Sequence, residues 1–177
     1  MVEVEEQAVS DFGNYLGALA DDTEAILDAV VDPSLDGGVR RVLAGALNYL
    51  FKSLDLIDDG IEGLGYLDDA FVIRIACAQA QAIGPLPQSL SPLAEQAQHI
   101  AAFVGDLTPR FDRFVGGLKT ATVRGRSVEA IVSDATVLEE LTLDVRSWAA
   151  RYKKPQFVLD ERGLIKLRAF LGAKLPH

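Results

Sequence analysis

Asp55-Leu56-Ile57-Asp58-Asp59-Gly60-Ile61-Glu62-Gly63-Leu64-Gly65-Tyr66-Leu67-Asp68-Asp69 joins two apolar segments and carries six carboxylates with no basic side chain among them. Before it, Val39, Leu43, Ala46, Leu50, Leu54 and Ile57 recur at steps of three and four residues, the stripe of an amphipathic helix. After it, Ala70 to Ala78 is apolar except for Arg74. Asp68 or Asp69 is placed to cap that second helix, because a carboxylate there accepts free backbone N–H groups and complements the dipole. The stretch therefore reads as the turn of a helical hairpin.

The same periodicity extends outward. Val9, Phe12, Leu16, Leu19, Ile26 and Val30 share one face of a first helix predicted from Val4 to Val31, which Asp32-Pro33 stops. The helix after the acidic turn is predicted from Asp69 to Ile83. Gly84-Pro85-Leu86-Pro87 cannot continue it, since each proline removes a backbone donor. Ser91-Pro92 and Thr108-Pro109 set a capping hydroxyl before a proline, predicting helices from Pro92 to Val104 and from Pro109 to Leu118. Thr120 to Arg126 lacks helical spacing and reads as extended. Ser127 then caps a helix predicted to reach Lys154, ended by Pro155, and a last helix starts near Asp160. The expectation is an all-α, single-domain bundle of about seven helices spanning residues 1–177, with the hairpin at its centre.

Composition bounds the function. The chain of 177 residues is 49% hydrophobic and 24% charged, as in a globular protein. Its first residues are acidic, the reverse of a secretory leader, and Cys77 is alone in an apolar helix, so a cytoplasmic location is expected. The apolar window around Arg74 is too short and too charged for a membrane span. Residues 1–109 carry a net charge of −14 and residues 110–177 one of +5, together −9. The basic C-terminal half either docks on the acidic half or meets an external partner: a protein, a second copy of the chain or an anionic membrane surface. An acidic protein with few aromatic residues is not expected to bind nucleic acid.

Asp55 and Asp59 share one face if the helix reaches them, and Asp69 can approach across the turn, so Asp55, Asp59 and Asp69 form a candidate divalent-cation site. The EF-hand pattern fails, because Ile57 and Tyr66 stand where ligands belong. No cofactor other than such a cation is expected. Arg74, alone in an apolar helix, requires a carboxylate, and Asp55 or Asp59 is the expected partner. Arg124 and Arg126 flank a glycine turn that could hold an anion, and Trp148 and Tyr152 sit one helical turn apart among cations, as at an interaction surface. Nucleophile elbows, phosphate loops and dinucleotide glycine patterns are missing.

From Leu47 to Ala80 the chain resembles the YkvA-like family of bacterial domains of unknown function. Their pattern is a helix ending in Asp-Leu-Ile-Pro-Asp, then Phe-Ile-Pro, then Leu-Gly-Tyr-Leu-Asp-Asp and an apolar helix. Asp55-Leu56-Ile57, Asp59, Ile61 and Leu64-Gly65-Tyr66-Leu67-Asp68-Asp69 match it in order and spacing. The resemblance implies a hairpin with a fixed turn and, in many members, association with membrane proteins or membrane surfaces; it brings no catalytic activity. Asp58 and Glu62 stand where the family has proline, and Gly60 where it has phenylalanine. Those two acids are therefore expected to meet this chain's own partner. The sequence favours a non-enzymatic helical adaptor, with a metal-dependent hydrolase or transferase on the acidic turn as the alternative.

Overall fold

The first apolar stripe forms the helix its spacing predicts. In a computed structural model that describes residues 2–52, 55–59, 61, 64–157 and 159–177, α1 runs Val2–Val31, and Phe12, Leu16, Leu19, Ile26 and Val30 are fully buried. Asp36 then caps α2 (Gly37–Tyr49), its carboxylate accepting from the N–H groups of Gly38 at 2.7 Å and Val39 at 3.2 Å. The Arg40 guanidinium, donating to the Val30 carbonyl at 2.8 Å, ties α2 to the end of α1.

α3 (Leu67–Ile83) is the central helix, with every residue from Leu67 to Cys77 buried and α1, α2, α4 (Ser91–Val104) and α5 (Thr108–Gly117) packed around it. Phe12 of α1 meets Phe71 of α3 and Phe103 of α4 edge-on, with ring centroids 4.7 and 5.0 Å apart. A short hairpin of β1 (Thr122–Val123) and β2 (Arg126–Ser127) follows, turning on Arg124 and Gly125, both at positive φ. α6 (Val128–Ser133), α7 (Ala135–Arg151) and α8 (Glu161–Lys174) complete the chain, and buried residues of every helix join one apolar cluster. The all-α class is borne out.

Several boundaries differ from expectation. α2 ends at Tyr49, where Leu50, Phe51 and Lys52 turn back to the carbonyls of Leu47, Asn48 and Tyr49, so Ile57 is buried by the turn and not by a helical stripe. The helix capped by Ser127 breaks at Asp134, whose extended backbone lets its carboxylate accept from Thr136 and Val137 and start α7. Ser91 and Thr108 are the first residues of their helices and not caps; the Thr108 hydroxyl donates backwards to the Gly105 carbonyl at 2.7 Å.

Candidate functional site: the carboxylate turn

The turn between α2 and α3 is assembled around Asp68. Tyr49, in the last turn of α2, donates its hydroxyl to Asp68 Oδ2 at 2.6 Å, and the Ile57 N–H reaches the same oxygen at 3.2 Å. The Leu56 N–H donates to the Tyr49 hydroxyl at 2.9 Å, so one tyrosine and one carboxylate fix the returning backbone. Asp68 is wholly buried, and its Oδ1 has no hydrogen-bond partner among the described residues. Tyr66, at φ 65°, precedes α3 in a left-handed conformation costly for a residue with a Cβ. Gly65 beside it is obligatory, because an added Cβ would run into the Asp59 backbone carbonyl.

Neither Asp68 nor Asp69 caps α3. Tyr66 holds that position without a side-chain bond, and the two acids lie in the first turn, where negative charge still complements the dipole. The Tyr66 backbone instead lies towards the Asp59 carboxyl and partly offsets the rise in its pKa.

The carboxylates raise one another. Partial burial, then the charges of Asp68 and Asp59, lift Asp55 to about 7 against the weaker pull of Lys52. Asp59 is exposed as a residue, yet surrounding protein desolvates its carboxyl and the charges of Asp68 and Asp58 bring it to about 6. Burial also holds Asp68 above the usual carboxylate range, and Asp69, 3% exposed, lies well above it through burial and then Asp68. Such a group of acids can store protons near neutrality.

Asp55, Asp59 and Asp69 are thus close enough to couple, but Asp55 and Asp59 lie beyond the end of α2 and share no helical face. Among the described residues, no group of three or more His, Cys, Asp or Glu side chains is arranged to hold a metal ion.

Arg74 does not pair with Asp55 or Asp59. Its guanidinium bonds Asp22 of α1 at 2.8 Å, Gln96 of α4 at 2.8 Å and the Ala70 carbonyl at 3.0 Å, and lies over the Tyr15 ring at 3.9 Å. The reason is rotation: five residues past Asp69 is about 140° around the helix, which turns Arg74 from the acidic turn towards α1. Burial lowers Arg74 and raises Asp22, in each case against the partner's charge.

The predicted interaction residues divide. Asp58 and Arg124 are exposed, and Glu62 lies outside the described residues. Arg126 is committed internally: its side chain bonds Asn48 at 3.1 Å and Asp144 at 2.9 Å and covers the Phe51 ring. Trp148 and Tyr152 stack at 4.9 Å and meet Tyr66 edge-on, bracing α7 against the turn, while the Tyr152 hydroxyl donates to the Leu16 carbonyl at 2.8 Å.

Sequence reasoning missed Tyr49, which carries no local signal, and Asp22, which had one: it interrupts the apolar stripe between Leu19 and Ile26 on α1. It also missed a groove between the turn and α8, lined in part by Ile61, Leu64 and Phe170.

Residues 39–75, which span α2, the turn and the first half of α3, match the family model described as Protein of unknown function (DUF1232). This supports the sequence expectation at the level of an uncharacterised family. No curated protein and no solved structure matches the chain.

Proposed function

We propose that the protein is a non-enzymatic helical adaptor that attaches peripherally to an anionic membrane surface through its basic C-terminal half. One observation carries this reading. Where ion pairs are described, namely Arg41–Glu129, Arg74–Asp22, His99–Asp11 and Arg126–Asp144, none joins a cation of residues 110–177 to a carboxylate of residues 1–109. The charge asymmetry is therefore not cancelled in these contacts, and Arg146, Lys153, Lys154, Arg162 and Lys166 are exposed on the C-terminal elements. Two large apolar side chains stand out on the same helices, Leu143 at 62% and Ile165 at 59% exposure. No helix among the described residues is long and apolar enough to cross a membrane, so attachment would be to the surface.

Flotation with phosphatidylserine vesicles tests the proposal. Binding at low ionic strength should weaken steadily as salt is added, because surface attraction is screened within a Debye length. The double variant Lys153→Glu, Lys154→Glu should float less. Absence of flotation at low salt, or flotation indifferent to salt, overturns it. The alternative, a metal-dependent hydrolase or transferase on Asp55, Asp59 and Asp69, would instead show as a rise in melting temperature with magnesium, calcium or manganese.

A further inference from the structure

The groove between α8 and the acidic turn has a volume of about 780 Å³, inside the range of about 300–1,000 Å³ typical of small-molecule sites. One wall is Ile61 and Leu64 of the turn; the other is a single face of α8, because positions 162, 166, 169, 170 and 173 follow three- and four-residue steps. That face changes character along its length. Arg162 and Lys166 stand at its N-terminal end, and Ala169, Phe170 and Ala173 continue it. Neither cation has an ion-pair or hydrogen-bond partner among the described residues. Two acids stand at that end as well: Asp160 spends a carboxylate oxygen on the Gly163 N–H at 2.8 Å as the cap of α8, and Glu161 is the first residue of the helix. The positive end of the α8 dipole lies there too.

We propose that this groove binds a free single-chain anionic amphiphile, such as a long-chain carboxylate, with its headgroup between Arg162 and Lys166 and its tail along Ala169, Phe170 and Ala173. The charge pattern favours an anionic chain. From Arg162 to Ala173 the stripe is about 16 Å long at about 1.5 Å per residue. An extended hydrocarbon tail fits its length and its apolar walls, and two cations without a partner among the described residues stand at one end, where an anionic headgroup would sit.

Calorimetric titration of the full chain with laurate below its micelle concentration is the direct test. Saturable binding of one laurate per chain is expected. Affinity should rise about fourfold for each methylene from octanoate to laurate, the gain that follows from burying one methylene. Dodecyltrimethylammonium, with a tail one methylene longer and the opposite charge, should bind at least about tenfold more weakly. Ala173→Trp, which fills the apolar end, should abolish binding. Lys166→Glu, an exposed change that leaves the core untouched, should weaken laurate and relieve the discrimination against the cationic analogue.

The proposal is overturned by absence of saturation, by affinity independent of chain length, by equal binding of the two headgroups, or by a Lys166→Glu variant that binds like the parent. An acidic peptide competing with laurate for the groove while laurate shows no chain-length dependence would assign the site to a protein partner and also overturn it. Vesicle flotation is judged on Lys153 and Lys154, outside the groove, so either reading can fail alone.

Discussion

At two places among the described residues, α1 and the turn before α3, carboxylates drawn out of water are neutralised differently. On α1, Asp22 faces the Arg74 guanidinium, which is itself held by a glutamine and an aromatic ring. Between α2 and α3, Asp68 and Asp69 are more deeply buried, yet Asp68 is met by the Tyr49 hydroxyl and backbone N–H groups. The comparison shows that a countercharge is only one way to bury an acid. Even beside Arg74, desolvation outweighs attraction and Asp22 stays above the ordinary range. In the turn, neighbouring carboxylates add to desolvation, and the charge must be relieved by protons.

The largest effect should come from breaking the paired site. Arg74→Met strands Asp22 in the core, and removing one member of a buried pair costs about 3–5 kcal/mol. A urea unfolding curve should show that loss as a lower midpoint at unchanged slope. Arg74→Met combined with Asp22→Leu should recover most of it, because burial already opposes both charged forms and apolar replacement of a whole buried pair is often neutral or stabilising by about 1–4 kcal/mol. A double variant as unstable as the single one would show that the pair, and not relief of an isolated charge, sustains the core.

A smaller effect is expected in the turn. Tyr49→Phe keeps the ring but leaves Asp68 Oδ2 without its shortest bond and the Leu56 N–H without an acceptor, each worth about 1–3 kcal/mol when left unsatisfied in the interior. Unfolding at neutral pH should reveal a loss of that order. Because a phenylalanine ring cannot donate to the ionised acid, the variant should be hurt less at mildly acidic pH, where a protonated Asp68 has less need of the bond. Equal damage at both would mean that the hydroxyl serves packing alone.

How far the sequence disclosed these sites depended on whether the signal was local. The stripe on α1 and the Ser127 cap are written in adjacent residues, and both formed as read. The end of α2 was not visible, because Leu50, Leu54 and Ile57 keep helical spacing beyond Tyr49; a turn can bury an apolar side chain as well as a helix can. Arg74 clearly required an acid, but the nearest acids in sequence lie on another side of its helix. Its partner, Asp22, was legible only as a charge in an apolar stripe, a sign that becomes useful once α1 is known to cross α3. The acidic turn was recognised as special for its carboxylate count, whereas its organising contact, Tyr49 to Asp68, spans two helices.

The smallest predicted effect sharpens the comparison, since only the unpaired site should titrate strongly near neutrality. Asp55 at about 7 and Asp59 at about 6 are raised above the unfolded value of about 4, so between those limits the native state holds more protons than the unfolded chain. Stability from these groups is present below about pH 4 and is lost as pH rises through about 6 and 7. The facing groups are Lys52, which opposes the shift, and Asp58, Asp68, Asp69, Tyr49 and Tyr66, none of which offers a second cation. At the acid end the sign reverses for Asp32 and Glu129, which Ser34 and Arg41 hold below the usual range and which lose their contribution as they protonate. Urea midpoints followed from about pH 5 to about pH 8 should therefore fall, and Asp55→Asn should flatten the upper part of that decline by removing its most raised half-buried acid. An unchanged slope in Asp55→Asn would exclude Asp55 as its source and move the titration to Asp59, Asp68 or Asp69 of the turn or to Asp22 on α1.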